Sequence, residues 1–195
     1  LNSKEIIKLS KKKIKNYFPK KSLKIINVGR LVDQKDQITL LKAINKIKKS
    51  FNIKLILIGR GEKYYSLQNY IKEKKLSKMV KIFYTSNPFP YIKQSDLFIL
   101  TSRYEGLPNV LLESIVLKKM IISSDCPTGP KEILLNGKGG LLFKSGNYNE
   151  LSEKIVFYVK NKKRCKKMIN ILSKKIDRFD YKKNLKKYLN LVKNT

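Results

Sequence analysis

Residues 97–124 read Leu-Phe-Ile-Leu-Thr-Ser-Arg-Tyr-Glu-Gly-Leu-Pro-Asn-Val-Leu-Leu-Glu-Ser-Ile-Val-Leu-Lys-Lys-Met-Ile-Ile-Ser-Ser, and the architecture of the chain follows from this stretch. Its two apolar runs, 97–100 and 120–124, are predicted to be buried strands, because short continuous apolar runs are typical of strands covered on both faces. The residues between them predict a helix over about 108–118, since Pro108 suits a first helical turn, where a missing N–H is harmless. A strand, a helix and a strand in succession are typical of a parallel sheet.

The same alternation extends through the rest of the chain. Further strands are predicted at residues 24–29, 51–58, 80–84 and 140–143, and further helices at residues 36–49, 63–76 and from 147 onward, with a break at 178–180. We interpret residues 87–90, Asn-Pro-Phe-Pro, as a turn. The predicted fold class is therefore α/β, with a doubly wound, Rossmann-like parallel sheet. Such sheets bind ligands at the carboxyl ends of their strands, where the strand order reverses.

Two carboxylates, Glu105 and Glu113, lie seven residues apart on either side of the predicted helix start. Because the helix is apolar on nearly every side, Glu113 on its second turn is expected to need a polar partner. The free N–H groups of Asn109 and Val110 at the helix start suit a phosphate. The arrangement suggests a nucleotide sugar. The alternative is that Glu113 pairs with a lysine and that Glu105 is a solvated loop residue.

A glycine turn after the first predicted strand reads Gly29-Arg30-Leu31-Val32-Asp33-Gln34-Lys35. Arg30 and Lys35 could present two cations to a diphosphate, although an ordinary surface loop is the alternative, because lysine is abundant throughout the chain. Arg30 is the stronger candidate, as one of only five arginines. The sequence contains no histidine, no Asp-x-Asp pair and no His/Cys ligand cluster. We therefore expect no metal, and we expect Arg, Lys and backbone N–H groups to neutralise a leaving diphosphate.

The charge of the chain bears on its partners. The formal net charge is +31, yet 40 of the 45 basic residues are lysine. Base readout and bidentate phosphate contacts favour arginine, so we do not expect nucleic-acid binding. The basic residues concentrate in 1–24 and 159–195, whereas 85–117 is nearly neutral. Basic ends suit an anionic membrane surface or an acidic partner. The alternative is a solvated surface of biased composition.

The remaining composition limits the class of protein. The chain has 195 residues, of which 42% are hydrophobic, and this suffices for one domain with a core. No apolar run reaches the length of about 18 residues that a membrane span needs. Cys126 and Cys165 have neither disulfide-framework nor metal-ligand spacing, which fits a reducing compartment.

Five motifs occur in order between about residue 20 and residue 145. They are Gly29-Arg30-Leu31 with Lys35, Asn87-Pro88-Phe89-Pro90-Tyr91-Ile92-Lys93, Ser95-Asp96-Leu97-Phe98, the run from Ser102 to Glu113, and the run from Ser124 to Leu134. Together they resemble the C-terminal domain of the retaining group 1 (family 4) glycosyltransferases, which have the GT-B architecture of two Rossmann-like domains.

The resemblance implies roles for individual residues. Arg30 and Lys35, in the turn of Gly29, would contact the donor diphosphate, and Glu105 would bind donor-sugar hydroxyls. The other implied donor-binding groups are backbone groups of Gly106 and Leu107, backbone N–H groups of Asn109 and Val110 for phosphate, and the Glu113 carboxylate for the ribose hydroxyls.

The resemblance also implies an activity. The chain would transfer a hexosyl or N-acetylhexosaminyl group from a nucleotide sugar, expected to be UDP-linked, to a glycan or lipid-linked acceptor. Configuration would be retained by front-face attack, with the leaving phosphate helping to deprotonate the acceptor and without a metal or other cofactor. The setting would be bacterial surface polysaccharide synthesis, in the cytoplasm or on the cytoplasmic face of the membrane. The alternative is a catalytically incomplete module that binds a nucleotide sugar.

We expect three segments. Residues 1–16 resemble the end of an interdomain region, residues 17–176 the nucleotide-sugar-binding domain, and residues 177–195 a helix that crosses back to an N-terminal domain. The chain starts Leu-Asn-Ser-Lys-Glu, without an initiator Met, and it resembles the remainder of a longer protein. We expect transfer activity to require the other domain. The apolar stripe of the last helix is predicted to comprise Leu185, Tyr188, Leu189 and Val192.

Overall fold

The computed structural model describes residues 2–180, 184–185, 189–190 and 192. Six strands form one fully parallel sheet in the order β3-β2-β1-β4-β5-β6. The strands are β1 (Leu23–Val28), β2 (Ile53–Ile58), β3 (Val80–Phe83), β4 (Leu97–Leu100), β5 (Met120–Ser124) and β6 (Leu141–Phe143). The predicted doubly wound, Rossmann-like α/β fold is confirmed.

Eight α-helices connect and cover the strands within residues 2–180. They are α1 (Ser3–Leu9), α2 (Gln37–Ile47), α3 (Tyr64–Glu73), α4 (Phe89–Gln94), α5 (Asn109–Val116), α6 (Pro130–Ile133), α7 (Tyr148–Lys160) and α8 (Lys162–Lys174), with 3₁₀ turns at Asp33–Lys35 and Ile176–Phe179. None of them is long and apolar enough to span a membrane.

The sheet separates two hydrophobic cores. On one face, Leu41 of α2, Leu67 of α3 and Leu151 of α7 pack together against the strands. On the other face, Ile92 of α4 and Leu112 of α5 pack against the strands. Ile133 of α6 and Leu172 of α8 belong to the same core. The continuous apolar runs of the strands follow from this arrangement, because parallel strands are covered on both faces.

The strand order reverses between β1 and β4, which are neighbours although the chain visits β2 and β3 between them. The side chain of Asn27 in β1 is buried and donates a hydrogen bond to the Ile99 carbonyl of β4, at 2.8 Å. This bond ties the two strands together near their carboxyl ends, which is the switch point where sheets of this kind bind ligands.

Two local predictions need correction. Residues 87–90 do not form only a turn, because helix α4 starts at Phe89 and carries Pro90 in its first turn. Proline is tolerated there, since N–H groups of a first turn have no partner inside the helix. The long C-terminal helical pattern also breaks at Asn161, where α7 ends, in addition to the break predicted near 178–180.

Three of the four residues of the predicted C-terminal apolar stripe lie among the described residues. Of the expected apolar stripe, Leu185, Leu189 and Val192 are helical and exposed by 40%, 47% and 56%. Tyr188 lies outside the described residues. At the other end of the chain, α1 packs against α4 and α5. The division of the chain at residues 16 and 176 stays a prediction.

Candidate functional site

Glu105 lies in the loop between β4 and α5, where its carboxylate is almost completely removed from solvent. Its side chain is only 6% exposed. The Oε1 atom accepts a hydrogen bond from Lys35 Nζ at 2.5 Å and another from Ser102 Oγ at 2.5 Å. The structure brings these two candidate site residues together, and the alternative of a solvated Glu105 is wrong.

The loop of Lys35 is bound to the loop of Glu105 by main-chain contacts as well as by the ion pair. Thr101 Oγ1 donates to the Lys35 carbonyl at 2.8 Å. The Arg103 N–H donates to the Gln34 carbonyl at 2.8 Å, and Gln34 Nε2 donates to the Tyr104 carbonyl at 3.0 Å. The two loops therefore form one unit at the carboxyl ends of β1 and β4.

Arg30 is an exposed cation of this unit. Its side chain is exposed, and its Nη2 atom lies 3.3 Å from Gln34 Oε1. Its backbone is fixed, because the buried Gln37 side chain donates to the Arg30 carbonyl at 2.8 Å. A fixed backbone with an exposed guanidinium leaves most donors of that group open to an incoming anion.

The start of α5 offers unused backbone donors. Pro108 precedes the helix, and no side chain caps it. The main-chain bonding of this end starts with the Leu111 N–H, which donates to the Pro108 carbonyl. Among the described residues, none accepts a hydrogen bond from the N–H of Asn109 or Val110. These donors and the helix dipole make this end of α5 attractive to an anion.

The backbone before α5 rests on the loop that follows β5. Thr128 Oγ1 donates to the Glu105 carbonyl. Gly129 has a φ of +81°, and a Cβ at Gly129 would overlap the Gly106 carbonyl. Glycine is required there by both the left-handed conformation and the close approach. The same loop lines an open cleft of about 660 Å³, which extends to Arg178.

Packing within the protein does not explain two other glycines. A Cβ at Gly106 would meet no atom within 4 Å, and a Cβ at Gly29 would only touch the Lys35 side chain at 3.7 Å. Neither residue has the positive φ that favours glycine. The adjacent Leu107 side chain is 57% exposed. The surface over Gly106 is therefore open enough for a ligand to approach the backbone closely, whereas the Lys35 side chain lies over Gly29.

Glu113 lies on the second turn of α5 without a protein partner. No hydrogen bond or ion pair joins its carboxylate to any other residue that the structure describes. Burial raises the pKa of this carboxyl above its ordinary value of 4.5. The alternative prediction of a lysine partner is therefore wrong. The partner that we expected for this buried-helix carboxylate is not supplied by the described part of the chain.

Ser102, Thr101 and Gln34 were not predicted, although they hold the site together. The pattern Ser102-x-x-Glu105 has the spacing of a helix capping box, in which the serine and glutamate side chains serve backbone donors. Here no helix spans 102–105, and the hydroxyl donates to the carboxylate. Because this capping-box spacing lies inside a predicted loop, it could have indicated that Ser102 contacts Glu105.

Potential metal ligands do not come together in the described part of the chain. No group of three or more Cys, Asp or Glu residues there is arranged to hold a metal ion. The charged groups of the site that the sequence predicted are Lys35, Arg30, Glu105 and Glu113.

This geometry defines a Rossmann-like α/β domain with a polar site at its switch point. The chain belongs to a known family, because the family model described as glycosyl transferases group 1 matches residues 10–175.

Individual proteins agree with this assignment. An uncharacterized glycosyltransferase of Methanocaldococcus jannaschii is 40% identical over 125 residues, which are 63% of this chain and 30% of the relative. The N-acetylgalactosamine-N,N'-diacetylbacillosaminyl-diphospho-undecaprenol 4-alpha-N-acetylgalactosaminyltransferase of Campylobacter jejuni is 30% identical over 128 residues, covering 65% of this chain and 34% of the relative. The chain thus spans about a third of the length of these relatives.

A solved structure shows the same fold. The crystal structure of a point mutant of S. aureus TarM, in complex with fondaparinux, alpha-GlcNAc-glycerol and UDP, superposes with a TM-score of 0.79 at 25% identity. The match covers 92% of this chain and 38% of that chain. The predicted membership of group 1 and the predicted GT-B relationship of the fold are confirmed.

Proposed function

We propose that this chain is the donor-binding half of a retaining glycosyltransferase of family 4, and that its donor is a UDP-linked hexose or N-acetylhexosamine. The observation that carries the proposal is the Glu113 carboxylate, which is partly buried, lacks a partner in the described part of the chain, and lies one turn from free helix N–H groups. A ribose diol supplies two hydroxyl donors, and the adjoining phosphates would occupy the N–H groups of Asn109 and Val110.

The remaining groups suit the other parts of the donor. Arg30 and Lys35 would carry the charge of the diphosphate, which a leaving group of this kind needs in the transition state. The Glu105 carboxylate would accept hydrogen bonds from sugar hydroxyls. The open surface over Gly106 and Leu107 would let donor and backbone approach closely, and a movement of the Lys35 side chain would open the surface over Gly29. The UDP in the TarM complex supports the choice of nucleotide.

We propose retention by front-face attack, in keeping with the resemblance to family 4. The bond from the anomeric carbon to the diphosphate oxygen breaks, and the acceptor oxygen bonds to the same face. The leaving phosphate takes the acceptor proton, so the step needs no protein nucleophile. The name of the C. jejuni relative, a diphospho-undecaprenol glycosyltransferase, supports a glycan or lipid-linked acceptor in surface polysaccharide synthesis.

A peripheral position on the cytoplasmic face of a membrane is part of the proposal. Helix α8 presents five exposed cations in one short segment, Lys162, Lys163, Arg164, Lys166 and Lys167. None of the salt bridges among the described residues involves them. Residues 154–176 contain no acidic residue, and Ile171 is 46% exposed on the same helix. An exposed basic helix with an apolar residue suits anionic lipid headgroups.

A nucleotide panel tests the choice of donor. Thermal unfolding of the chain with UDP, GDP, ADP and uridine should show the largest rise in Tm with UDP, because a ligand that binds only the folded state stabilises it. A larger shift with GDP or ADP would contradict the choice of base. A shift with uridine equal to that with UDP would contradict the diphosphate role of Arg30 and Lys35.

A further inference from the structure

Ser102 is a fully buried residue at the end of β4, and its hydroxyl donates to Glu105 Oε1 at 2.5 Å. Lys35 Nζ binds the same oxygen, also at 2.5 Å. The other oxygen, Oε2, accepts no hydrogen bond from any residue that the structure describes. The protein therefore holds one carboxylate oxygen with two donors and leaves the second one available.

Ser102 is itself held by the strand next to β4. Its carbonyl accepts a hydrogen bond from Ser124 Oγ at 2.6 Å and another from Ser145 Oγ at 3.3 Å. Ser124 is the buried last residue of β5. Its hydroxyl thus connects the end of β5 through Ser102 to the catalytic-site candidate Glu105. The Glu105 carboxylate is therefore tied to the end of β5 as well as to its own loop.

The two donors on Oε1 differ in what else they can bind. Lys35 carries a flexible, 17% exposed side chain, and under the proposed function it also serves the donor diphosphate. A lysine that turns toward a diphosphate weakens its contact with Glu105. The Ser102 hydroxyl is buried and has no such second ligand, so it keeps Oε1 in place.

We infer that Ser102 is a positioning residue, which keeps Glu105 Oε1 bound to the protein and thereby presents Oε2 to the hydroxyls of the donor sugar. The inference rests on the proposed function, because it assigns Glu105 to the sugar. It extends that function to Ser124, which acts on Glu105 only through the Ser102 carbonyl.

Calorimetry of the whole chain with UDP, UDP-glucose and UDP-N-acetylglucosamine tests the inference. Ser102→Ala should weaken binding of the better UDP-sugar by about tenfold, the size of a hydrogen bond to a charged group, and should leave UDP binding within about twofold. Ser124→Ala should act in the same direction with a smaller effect. The matched control is Ser95→Ala, which removes a buried hydroxyl at the opposite end of β4 and should change neither affinity.

The ratio of the two affinities separates positioning from general destabilisation, because a loss of fold weakens UDP and UDP-sugar alike. Unchanged UDP-sugar binding in both Ser102→Ala and Ser124→Ala would overturn the inference. An equal loss for UDP and UDP-sugar would also overturn it, and would make Ser102 a structural residue. If the unaltered chain binds no UDP, the proposed function fails first. If it binds UDP but neither UDP-sugar, Glu105 does not hold a sugar and the inference falls with that role.

Discussion

The Glu113 carboxylate combines two opposing effects in one residue. Its desolvation is unfavourable for the folded state, and no described residue compensates it. A ligand hydroxyl that donates to the carboxylate would favour its ionised form. Buried carboxylates without a protein partner occur more often at functional sites than elsewhere, because binding or catalysis requires them although they lower stability.

The raised pKa of Glu113 predicts a specific pH dependence of stability. Between the ordinary value of 4.5 and the higher folded-state pKa, the folded chain binds more protons at this group than the unfolded chain. Its contribution to the free energy of unfolding therefore falls as pH rises through this window and stays low above it. Glu113→Gln should remove this loss, so the variant should gain stability relative to the unaltered chain as pH rises above the ordinary pKa of 4.5.

Urea unfolding at a series of pH values measures this difference. Glu153→Gln is the matched control, because Glu153 is exposed on α7. Parallel pH profiles for the unaltered chain and Glu113→Gln would show that Glu113 is not desolvated in the folded state.

At the scale of elements, the strands and the start of α5 were predictable because local signals decide them. The apolar runs at 97–100 and 120–124 coincide with β4 and β5, and Pro108 immediately precedes α5. Helix α4 was missed because two prolines in Asn87-Pro88-Phe89-Pro90 resemble a turn. In the fold, the Asn87 side chain accepts from the N–H of Phe89, the first residue of α4, at 3.3 Å.

The interior of the site could not be predicted in the same way. The burial of Glu105 depends on Lys35 and Gln34, which are distant in sequence and meet the Glu105 loop only because β1 and β4 are neighbours. No periodicity in a loop indicates such contacts. The pattern of strands and helices in the sequence does not determine the order of the strands in the sheet, so it does not predict that β1 and β4 are neighbours.

Substitution of Gly129 tests whether the loop after β5 supports the Glu105 loop. Gly129→Ala combines a left-handed conformation with an overlap against the Gly106 carbonyl. Gly146→Ala shares the left-handed conformation, with a φ of +76°, but a Cβ there would meet no atom within 4 Å. We expect Gly146→Ala to lower the free energy of unfolding by about 1 kcal/mol, and Gly129→Ala to lower it by about 1–3 kcal/mol more.

Chemical denaturation of both variants measures the difference, and calorimetry shows its effect on the site. Only Gly129→Ala should also weaken UDP-sugar binding, because it displaces the backbone of Gly106. Equal stability and equal binding in the two variants would mean that the loop after β5 does not position the Glu105 loop.

For the whole molecule, the distribution of charge predicts where a membrane would bind. The triple substitution of Lys163, Lys166 and Lys167 by Gln should weaken binding to vesicles that contain phosphatidylglycerol by tenfold or more, since each lysine near such a surface contributes about 1 kcal/mol. The matched control replaces Lys72, Lys75 and Lys78 by Gln and removes the same charge from positions elsewhere on the surface.

Co-sedimentation with vesicles compares the two triple variants. Similar losses in both would show that only the net charge matters and that α8 is not the membrane face. Binding to phosphatidylcholine vesicles alone should be weak for all three proteins. Preferential loss of RNA binding in the α8 variant, without loss of vesicle binding, would assign the surface to a nucleic acid instead.

Transfer activity is a second property of the whole molecule. We expect this chain alone not to transfer sugar at a useful rate, because positioning of an acceptor supplies roughly 7–11 kcal/mol of barrier lowering in favourable cases. We propose that an N-terminal GT-B domain holds the acceptor. Adding that domain, in one chain or as a separate partner, should restore transfer to a lipid-linked or polysaccharide acceptor. Slow donor hydrolysis fits this view, whereas robust glycosylation of a defined acceptor by residues 1–195 alone contradicts it.

The central claim is that Glu113 and the cations of the switch point bind a nucleoside diphosphate without a metal. Calorimetry with UDP, in the presence and absence of a chelator, tests it most directly when the unaltered chain and Glu113→Gln are compared. We predict binding that is insensitive to chelator, and a loss of about 1–3 kcal/mol in the folded Glu113→Gln variant, the range for a hydrogen bond to a charged group. Binding that vanishes with chelator, or normal binding by Glu113→Gln, would contradict it.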